Sequence, residues 1–425
     1  MKHNIKIPDG YYMKHIKLKL YPSKSQSQFI DRCIELSRYV YNWALEQENN
    51  QYELHQKGLS DRSFLSRYDI ERRFTELRKS EGFEFLLEIP HISARNAIGE
   101  LVDSSFQRYF TKQCNRPRFK SKKDTYMSFI TRYDRMYFDH DKVRIEGLPK
   151  DEMIYIGYDI GYERQTTPHI YKPVIQRDYL GEYWLTFSIL EKKSIEYFYK
   201  NNIEKSNDVI GIDLNVKKRF VTSDDEVYYG PDLEKYLKKR SKAYKKFKKD
   251  IKRQLEMERS NPSETISKSN RMLKREKQYK KSCKKITNVN LTFIHTICKI
   301  IVMKNPKAIV MENISVKKLL KQHYMAKQLH FADLYRCREI MEKKCNQYGI
   351  EFILAPKDFK STQICSNCGH EKYMHSSKKV YKCPHCGLKI DRDLNAALNL
   401  KHYGEKLIKS NSENYNYNFD DLIVA

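Results

Sequence analysis

Two cysteine pairs, Cys365–Cys368 and Cys383–Cys386, stand fourteen residues apart, each closing on a glycine (Cys-Ser-Asn-Cys-Gly and Cys-Pro-His-Cys-Gly). Four thiolates at this spacing fill a tetrahedral shell around one Zn²⁺ and leave no coordination position open. The site they form is therefore structural rather than catalytic. Gly369 and Gly387 let the backbone double back around the metal, and His385 is then surplus as a ligand. So short a ribbon buries little, which leaves the metal to supply its folding energy. Redox-active or free thiols are the alternative reading of the cysteines. Contact with nucleic acid and a purely structural clip are both open as the ribbon's role. The other six cysteines (Cys33, Cys114, Cys283, Cys298, Cys337, Cys345) are scattered singly, as reduced thiols of a cytosolic protein are.

Three acids could do a different chemistry. Asp213 ends the apolar run Val209-Ile-Gly-Ile-Asp, and Glu312 ends Ala308-Ile-Val-Met-Glu. A carboxylate after several core residues is costly to desolvate unless a cation or hydrogen-bond donors compensate. Asp393 opens a helix in Asp391-Arg-Asp-Leu-Asn-Ala-Ala397. If two strand-end acids and one helix-start acid met at one sheet edge, they would suit Mg²⁺, which takes oxygen ligands. Two such ions ~4 Å apart can activate water and stabilise a leaving oxygen in phosphodiester hydrolysis. Each acid alone also suits a structural role: Asp213 a turn, Glu312 a helix cap, Asp391 or Asp393 an N-cap.

The elements that must position these groups follow from patterning. The chain of 425 residues is long enough for two or more domains. Tyr12–Tyr21 alternates as a strand closed by Pro22. From Ser25 a helical pattern places Phe29, Cys33, Leu36, Val40, Trp43 and Ala44 on one face, and helical text continues to about Cys114 with breaks at 58–62 and Pro90. Short runs at 126–131, 136–138, 143–145, 153–158 and 183–189 are rich in β-branched and aromatic residues, and predict a small β-barrel or sandwich completed by the first strand. Apolar strands follow at 209–213, 219–223, 227–229, 308–311 and 351–354, with a helix at 329–348 and a short one at 394–403. The Asn/Ser-rich tail after Gly404 is expected to be disordered. Residues 233–302 predict a basic helical hairpin with its turn at Pro262.

Charge bounds the partners. Lys plus Arg number 81 against 54 Asp plus Glu, a formal charge of +27. Between Lys235 and Arg253, eleven of nineteen residues are basic; between Lys268 and Lys285, nine are basic and only Glu276 opposes them. Like charges at this density repel unless a polyanion lies nearby, so Lys238, Lys239, Arg240, Lys245, Lys246, Lys248, Lys249, Arg271, Lys274 and Arg275 are candidate nucleic-acid contacts. A solvated charged face is the alternative. Further along, Ile286, Val289, Phe293, Ile294, Ile297, Ile301 and Val302 mark a core-facing stretch, with His295 expected to pack or hydrogen-bond. No signal peptide, no run of ~18 apolar residues and no Gly-rich phosphate loop is seen. No membrane partner is expected.

Taken in order, Gly211-Ile-Asp-Leu-Asn215, Ile309-Val-Met-Glu-Asn313, the two cysteine knuckles and Asp391-Arg-Asp-Leu-Asn-Ala-Ala397 resemble the TnpB family, transposon-encoded RNA-guided nucleases related to compact type V CRISPR effectors. Leu20-Tyr-Pro-Ser23, Gln28, Arg38-Tyr-Val-Tyr-Asn42 and Arg116-Pro-Arg-Phe-Lys-Ser-Lys122 are similar to the family's opening, so the resemblance spans Tyr12 to Tyr403. Asn215 stands where the family often has Gly, Ser361-Thr-Gln363 replaces its Thr-Ser-Gln, and the helix near Asp333 lacks its Trp. The resemblance implies an α+β multidomain fold: a first wedge strand (1–22), a helical recognition domain (23–114) and the rest of a wedge β-barrel (115–205). After these come an RNase H-like, RuvC-type mixed α/β core (206–364) interrupted by a zinc ribbon (365–386), the end of that core (387–403), and the tail (404–425). It implies Mg²⁺-dependent, RNA-guided cleavage of double-stranded DNA beside a short flanking motif. Asp213, Glu312 and Asp393 would hold two Mg²⁺, which Mn²⁺ could replace, and guide RNA would be the partner. Asp393 rather than Asp391 matches the motif position before Leu-Asn-Ala-Ala. The expected protein is a monomer in the prokaryotic cytoplasm, at the nucleoid when on DNA. The rival readings are a cleavage-deficient DNA-binding regulator, which the loss of an acid would have signalled, and a transposase that joins DNA ends.

Overall fold

The computed structural model describes residues 7–122, 127–260, 267–313, 332–375 and 378–420. The chain divides into two compact units, 1–191 and 192–425. The division falls before the 205/206 boundary expected from the sequence, because α5 (Glu196–Lys200) and the turn after it belong to the second unit's core through Phe198 and Ile203.

In the first unit, β1 (Tyr11–Leu20) leads into the 33-residue helix α1 (Lys24–Gln56). Ser23 caps that helix: its hydroxyl accepts the Gln26 N–H while the Gln26 side chain accepts the Ser23 N–H, which satisfies two amides the first turn would leave open. The two halves of α1 serve two cores. Ile30, Cys33 and Ile34 pack on strands, whereas Leu36, Val40, Ala44 and Leu45 pack on α2 (Arg67–Leu77) and α3 (His91–Gly99). A π-helical stretch, Glu100–Phe106, joins α3 to α4 (Gln107–Phe110). The strands form two sheets over a shared core. One has the order β1-β7-β6-β2 and the other β3-β4-β5, with a bridge between Tyr21 and Tyr155 linking them. Their ranges are β2 Met127–Ile130, β3 Tyr137–Asp139, β4 Lys142–Arg144, β5 Ile154–Tyr155, β6 Tyr171–Arg177 and β7 Tyr183–Lys192. The alternation read from the sequence thus yields paired sheets joined by the first strand. It missed β6, whose Pro173 and register shift near Tyr171 blur the period.

The second unit is built on a five-stranded mixed sheet of order β10-β9-β8-β11-β12. Strands β8 (Val209–Asp213), β11 (Ala308–Glu312) and β12 (Glu351–Ala355) run parallel. β9 (Phe220–Thr222) runs antiparallel to β8 and to β10 (Val227–Tyr228), so that β10 points the same way as the three parallel strands. Central parallel strands are covered on both faces, which is why 209–213 and 308–312 read as unbroken apolar runs. One face, carrying Ile210, Ile212, Ile309 and Met311, packs on α7 (Asn270–Val302) and α8 (Leu334–Tyr348). The other, carrying Val209, Val310 and Ile353, packs on α9 (Arg392–Asp420) through Leu400.

α9 lies unusually close to the sheet. A Cβ on Gly211 would sit 2.0 Å from the Ala397 carbonyl oxygen, and one on Gly404 would sit 2.4 Å from a Val310 methyl. Only glycine permits either approach. α9 also corrects the expected end of the fold. It continues past Tyr403 to Asp420, and Leu407 and Ile408 pack on the same cluster as Leu400 and Tyr403. The spacing 400, 403, 407, 408 is an apolar helical stripe that the polar composition of the tail concealed.

The basic hairpin is present as α6 (Glu234–Ser260) and the first half of α7. Pro262, its expected turn, lies outside the described residues. His295 is exposed rather than packed in the core.

Candidate functional site

Side chains alternate across a strand, so Asp213 shares a face with Val209 and Gly211, and Glu312 with Ala308 and Val310. Both are on the face that α9 covers. The parallel register pairs Met311 with Ile212, which sets Glu312 and Asp213 side by side at the ends of neighbouring strands. α9 begins at that same end. Asp391 caps it, its carboxylate accepting the N–H groups of Asp393 (2.9 Å) and Leu394 (3.3 Å). Asp393, in the first turn, is thereby left to face the strand ends. The alternatives open for Asp391 and Asp393 thus separate, with Asp391 as the cap.

The electrostatics of this edge are those of crowded anions. Asp213 is only 6% exposed. Burial first, and then the negative charges of Asp393 and Glu312, push its carboxyl up to about 8, with Arg392 acting in the opposite direction. Burial also raises Glu312. Two cations partly offset the rest. The Lys218 ammonium lies 2.7 Å from Asp391 and 3.6 Å from Asp393, and Arg392 reaches Asp393 at 3.0 Å. Although burial raises Asp391, Lys218 and the two amides outweigh it and hold the carboxyl low. Next to Lys218, the buried Arg219 donates to Asn290 on α7 and to the Ala332 carbonyl, which fixes the start of β9. Lys218 and Arg392 were not singled out from the sequence. A cation close after the β8 acid and another between two acids were the available signals.

The four cysteines are gathered more tightly. Among the described residues they are the one set of three or more Cys, His or carboxylate groups whose ligand atoms all lie within 4.8 Å of one another. Cys365 and Cys386 Sγ are 3.6 Å apart, as are Cys368 and Cys383. That is far beyond a disulfide bond, and close to the ~3.8 Å edge of a tetrahedron with Zn–S near 2.3 Å, so the donors fit zinc. Each knuckle is closed by glycine at positive φ, Gly369 and Gly387, whose N–H groups donate to the carbonyls of Cys365 and Cys383. The strands β13 (Val380–Lys382) and β14 (Lys389–Asp391) and the buried Tyr381 complete the ribbon. β14 ends at Asp391, so the ribbon delivers the chain directly into α9. His385 stacks on His370 and takes no place among the ligands.

Of the candidate nucleic-acid contacts, Lys238, Lys239, Lys245, Lys246, Lys248, Lys249 and Lys274 are exposed on the hairpin. Arg271, exposed as well, and the half-buried Arg275 also pair across the hairpin. They reach Asp250, which is 6% exposed, at 3.4 and 2.7 Å. Arg240 lies over the Tyr279 ring.

Comparison with known proteins agrees with this layout. A model described as "Cas12f1-like, TNB domain" matches residues 335–400, which holds α8, β12, the ribbon and the start of α9. A "Helix-turn-helix domain" model matches 13–57, which folds here as β1 and the single helix α1. A Streptomyces pristinaespiralis protein named "Putative RNA-guided DNA endonuclease" is 25% identical over 90% of this chain and 87% of its own length. TnpB-like protein L79 of Acanthamoeba polyphaga mimivirus is 33% identical over 28% of this chain and 22% of its own. Among solved structures, that of a Cas12f1–sgRNA–target DNA complex shares the fold, with a TM-score of 0.52 and 15% identity over 92% of this chain and 99% of that one. The resemblance carried by the scattered motifs therefore extends along the chain, which is similar to TnpB-like proteins and to proteins named RNA-guided DNA endonucleases.

Proposed function

We propose that this chain is an RNA-guided DNA endonuclease whose 192–425 unit contains an RNase H-like, RuvC-type nuclease core, and that it cleaves target DNA beside a short flanking motif. The observation that carries this reading is the shared edge of Asp213, Glu312 and Asp393: two carboxylates in register on parallel strands, with a third from the helix lying across them. A buried acid among further acids calls for a cation, and the all-oxygen donor set fits Mg²⁺ or Mn²⁺. Asp213, Glu312 and Asp393 would hold two such ions, whose Lewis acidity would activate water and stabilise the charge of the leaving oxygen. The protein's own part is to hold these carboxylates ready. α9 shields Asp213 from bulk water, the Asp391 cap fixes the first turn, and Lys218 balances Asp391 and Asp393. The exposed lysines of α6 and α7 would bind phosphates of the guide RNA or of its duplex with DNA, and pairing with the guide would choose the sequence. In this reading the two-sheet core of the first unit is the wedge, its helices are the recognition part, and one copy of the chain acts with one RNA.

The test is to purify the protein, sequence the RNA that accompanies it, and assay cleavage of a plasmid carrying the matching target. Wild type should cut it in Mg²⁺, and Asp213→Ala should bind the same RNA without cutting. Cleavage by Asp213→Ala, or cutting of defined DNA by protein free of RNA, would overturn the proposal.

A further inference from the structure

Two asparagines on α9 tie the ribbon to the carboxylate edge. Asn395 and Asn399 are 0% and 4% exposed and lie one helical turn apart on the same face. Buried amides in a helix interior are unfavourable in both propensity and desolvation, so their partners must account for them. Asn395 accepts the Ser366 N–H (3.0 Å) and donates to the Ile364 carbonyl (2.7 Å). Asn399 donates to the carbonyls of Ser361 (2.8 Å) and Ile364 (2.7 Å). The Asn395 amide thus grips the backbone on both sides of Cys365, a ligand of the four-thiol site, and Asp393 lies two residues away on the same helix.

We propose that Asn395 is a positioning residue that couples the state of the four-cysteine site to the placement of Asp393. This deepens the nuclease reading and rests on it for the role of Asp393. With a cation in the thiol site, residues 364–366 are rigid and clamp the Asn395 amide, so the first turn of α9 is held against the strand ends. Without it, the clamp loses its fixed side and that turn loosens. The ribbon then acts as a brace for the carboxylate site as well as a folded module of its own.

The experiment uses the full chain with its RNA, as wild type, Asn395→Ala and Asn395→Asp. Three quantities are read: bound zinc and its rate of release to a colorimetric chelator, the Mg²⁺ concentration for half-maximal cleavage, and amide hydrogen exchange over 391–395. Asn395→Ala should bind one zinc but release it about tenfold faster, and should need several-fold more Mg²⁺. Stripping zinc from wild type should speed exchange over 391–395. Should the alanine variant not fold, Asn395→Asp carries the same test, because it keeps the acceptor for Ser366 and loses the donor to Ile364. Unchanged zinc release, or exchange over 391–395 that ignores zinc, would overturn the coupling. If wild type cuts no DNA, the nuclease reading fails, while zinc release and exchange still judge the clamp.

Discussion

The thiol site and the carboxylate site gather charge in opposite ways. The four cysteines lie within one short segment, two tight turns bring them together, and their sulfurs sit at metal-like separations. The three acids are scattered from 213 to 393, and it takes a parallel register, a helix crossing and a cap to bring them to one edge. A local site depends on turn geometry and fails with the loss of one ligand. A site made by topology keeps its frame when a ligand is lost, and loses only its chemistry.

Paired substitutions give the largest expected effects and break the comparison most directly. Asp213→Asn should leave zinc content and folding intact and reduce DNA cleavage by about a thousandfold or more, the loss expected when a ligand to catalytic cations is removed. Cys365→Ser should do the reverse at its own site, with zinc lost by elemental analysis and proteolysis opening within 361–391, while the sheet unit stays protected. A Cys365→Ser protein with full zinc, or an Asp213→Asn protein without it, would erase the contrast.

A second, intermediate effect is pH dependence in chelator. Asp213 titrates near 3.8 when unfolded and at about 8 in the fold. Between those values the native state holds a proton that the unfolded chain has released, so stability falls as pH rises, by at most ~1.4 kcal/mol per pH unit from this group. Thermal melts of the metal-free protein from pH 5 to 8 should therefore decline more steeply for wild type than for Asp213→Asn, and Mg²⁺ should flatten the wild-type slope. Parallel slopes would mean that Asp213 is not a buried, crowded acid. The thiol site should show the opposite trend, holding zinc better as pH rises and thiols deprotonate.

The smallest effect sharpens the role of Lys218. It is partly exposed, so its pairing with Asp391 and Asp393 is worth ~1 kcal/mol or less. Lys218→Met should lower metal-free stability slightly and raise Mn²⁺ affinity a few-fold in a calorimetric titration, because the ammonium no longer competes for the carboxylates. Weaker Mn²⁺ binding would assign Lys218 a supporting part instead.

The sequence disclosed the parts whose signal is local. The knuckles were legible from spacing and glycine, and β8 and β11 from apolar runs that only a covered sheet explains. The acids were legible as candidates, but their meeting depends on register, which no single strand encodes. The pairing of Arg271 and Arg275 with Asp250 was not legible, because Asp250 is on the other helix and looks like a lone charge until the two helices pair. Asn395 and Asn399 passed unnoticed, since buried asparagine in a helix looks like any polar position until its acceptors are known. The end of α9 was hidden by its Asn- and Ser-rich composition, although Leu407 and Ile408 continued the stripe.

The crossing of α9 over Gly211 has a consequence for biosynthesis. β8 is made before the hairpin, whereas the helix that seals it and carries Asp393 follows only after β11, β12 and the ribbon. A chain whose synthesis has not yet reached α9 can form strands and hairpin yet leaves Gly211 and Asp213 uncovered, so on the proposed nuclease reading the site stays incomplete until that helix is made.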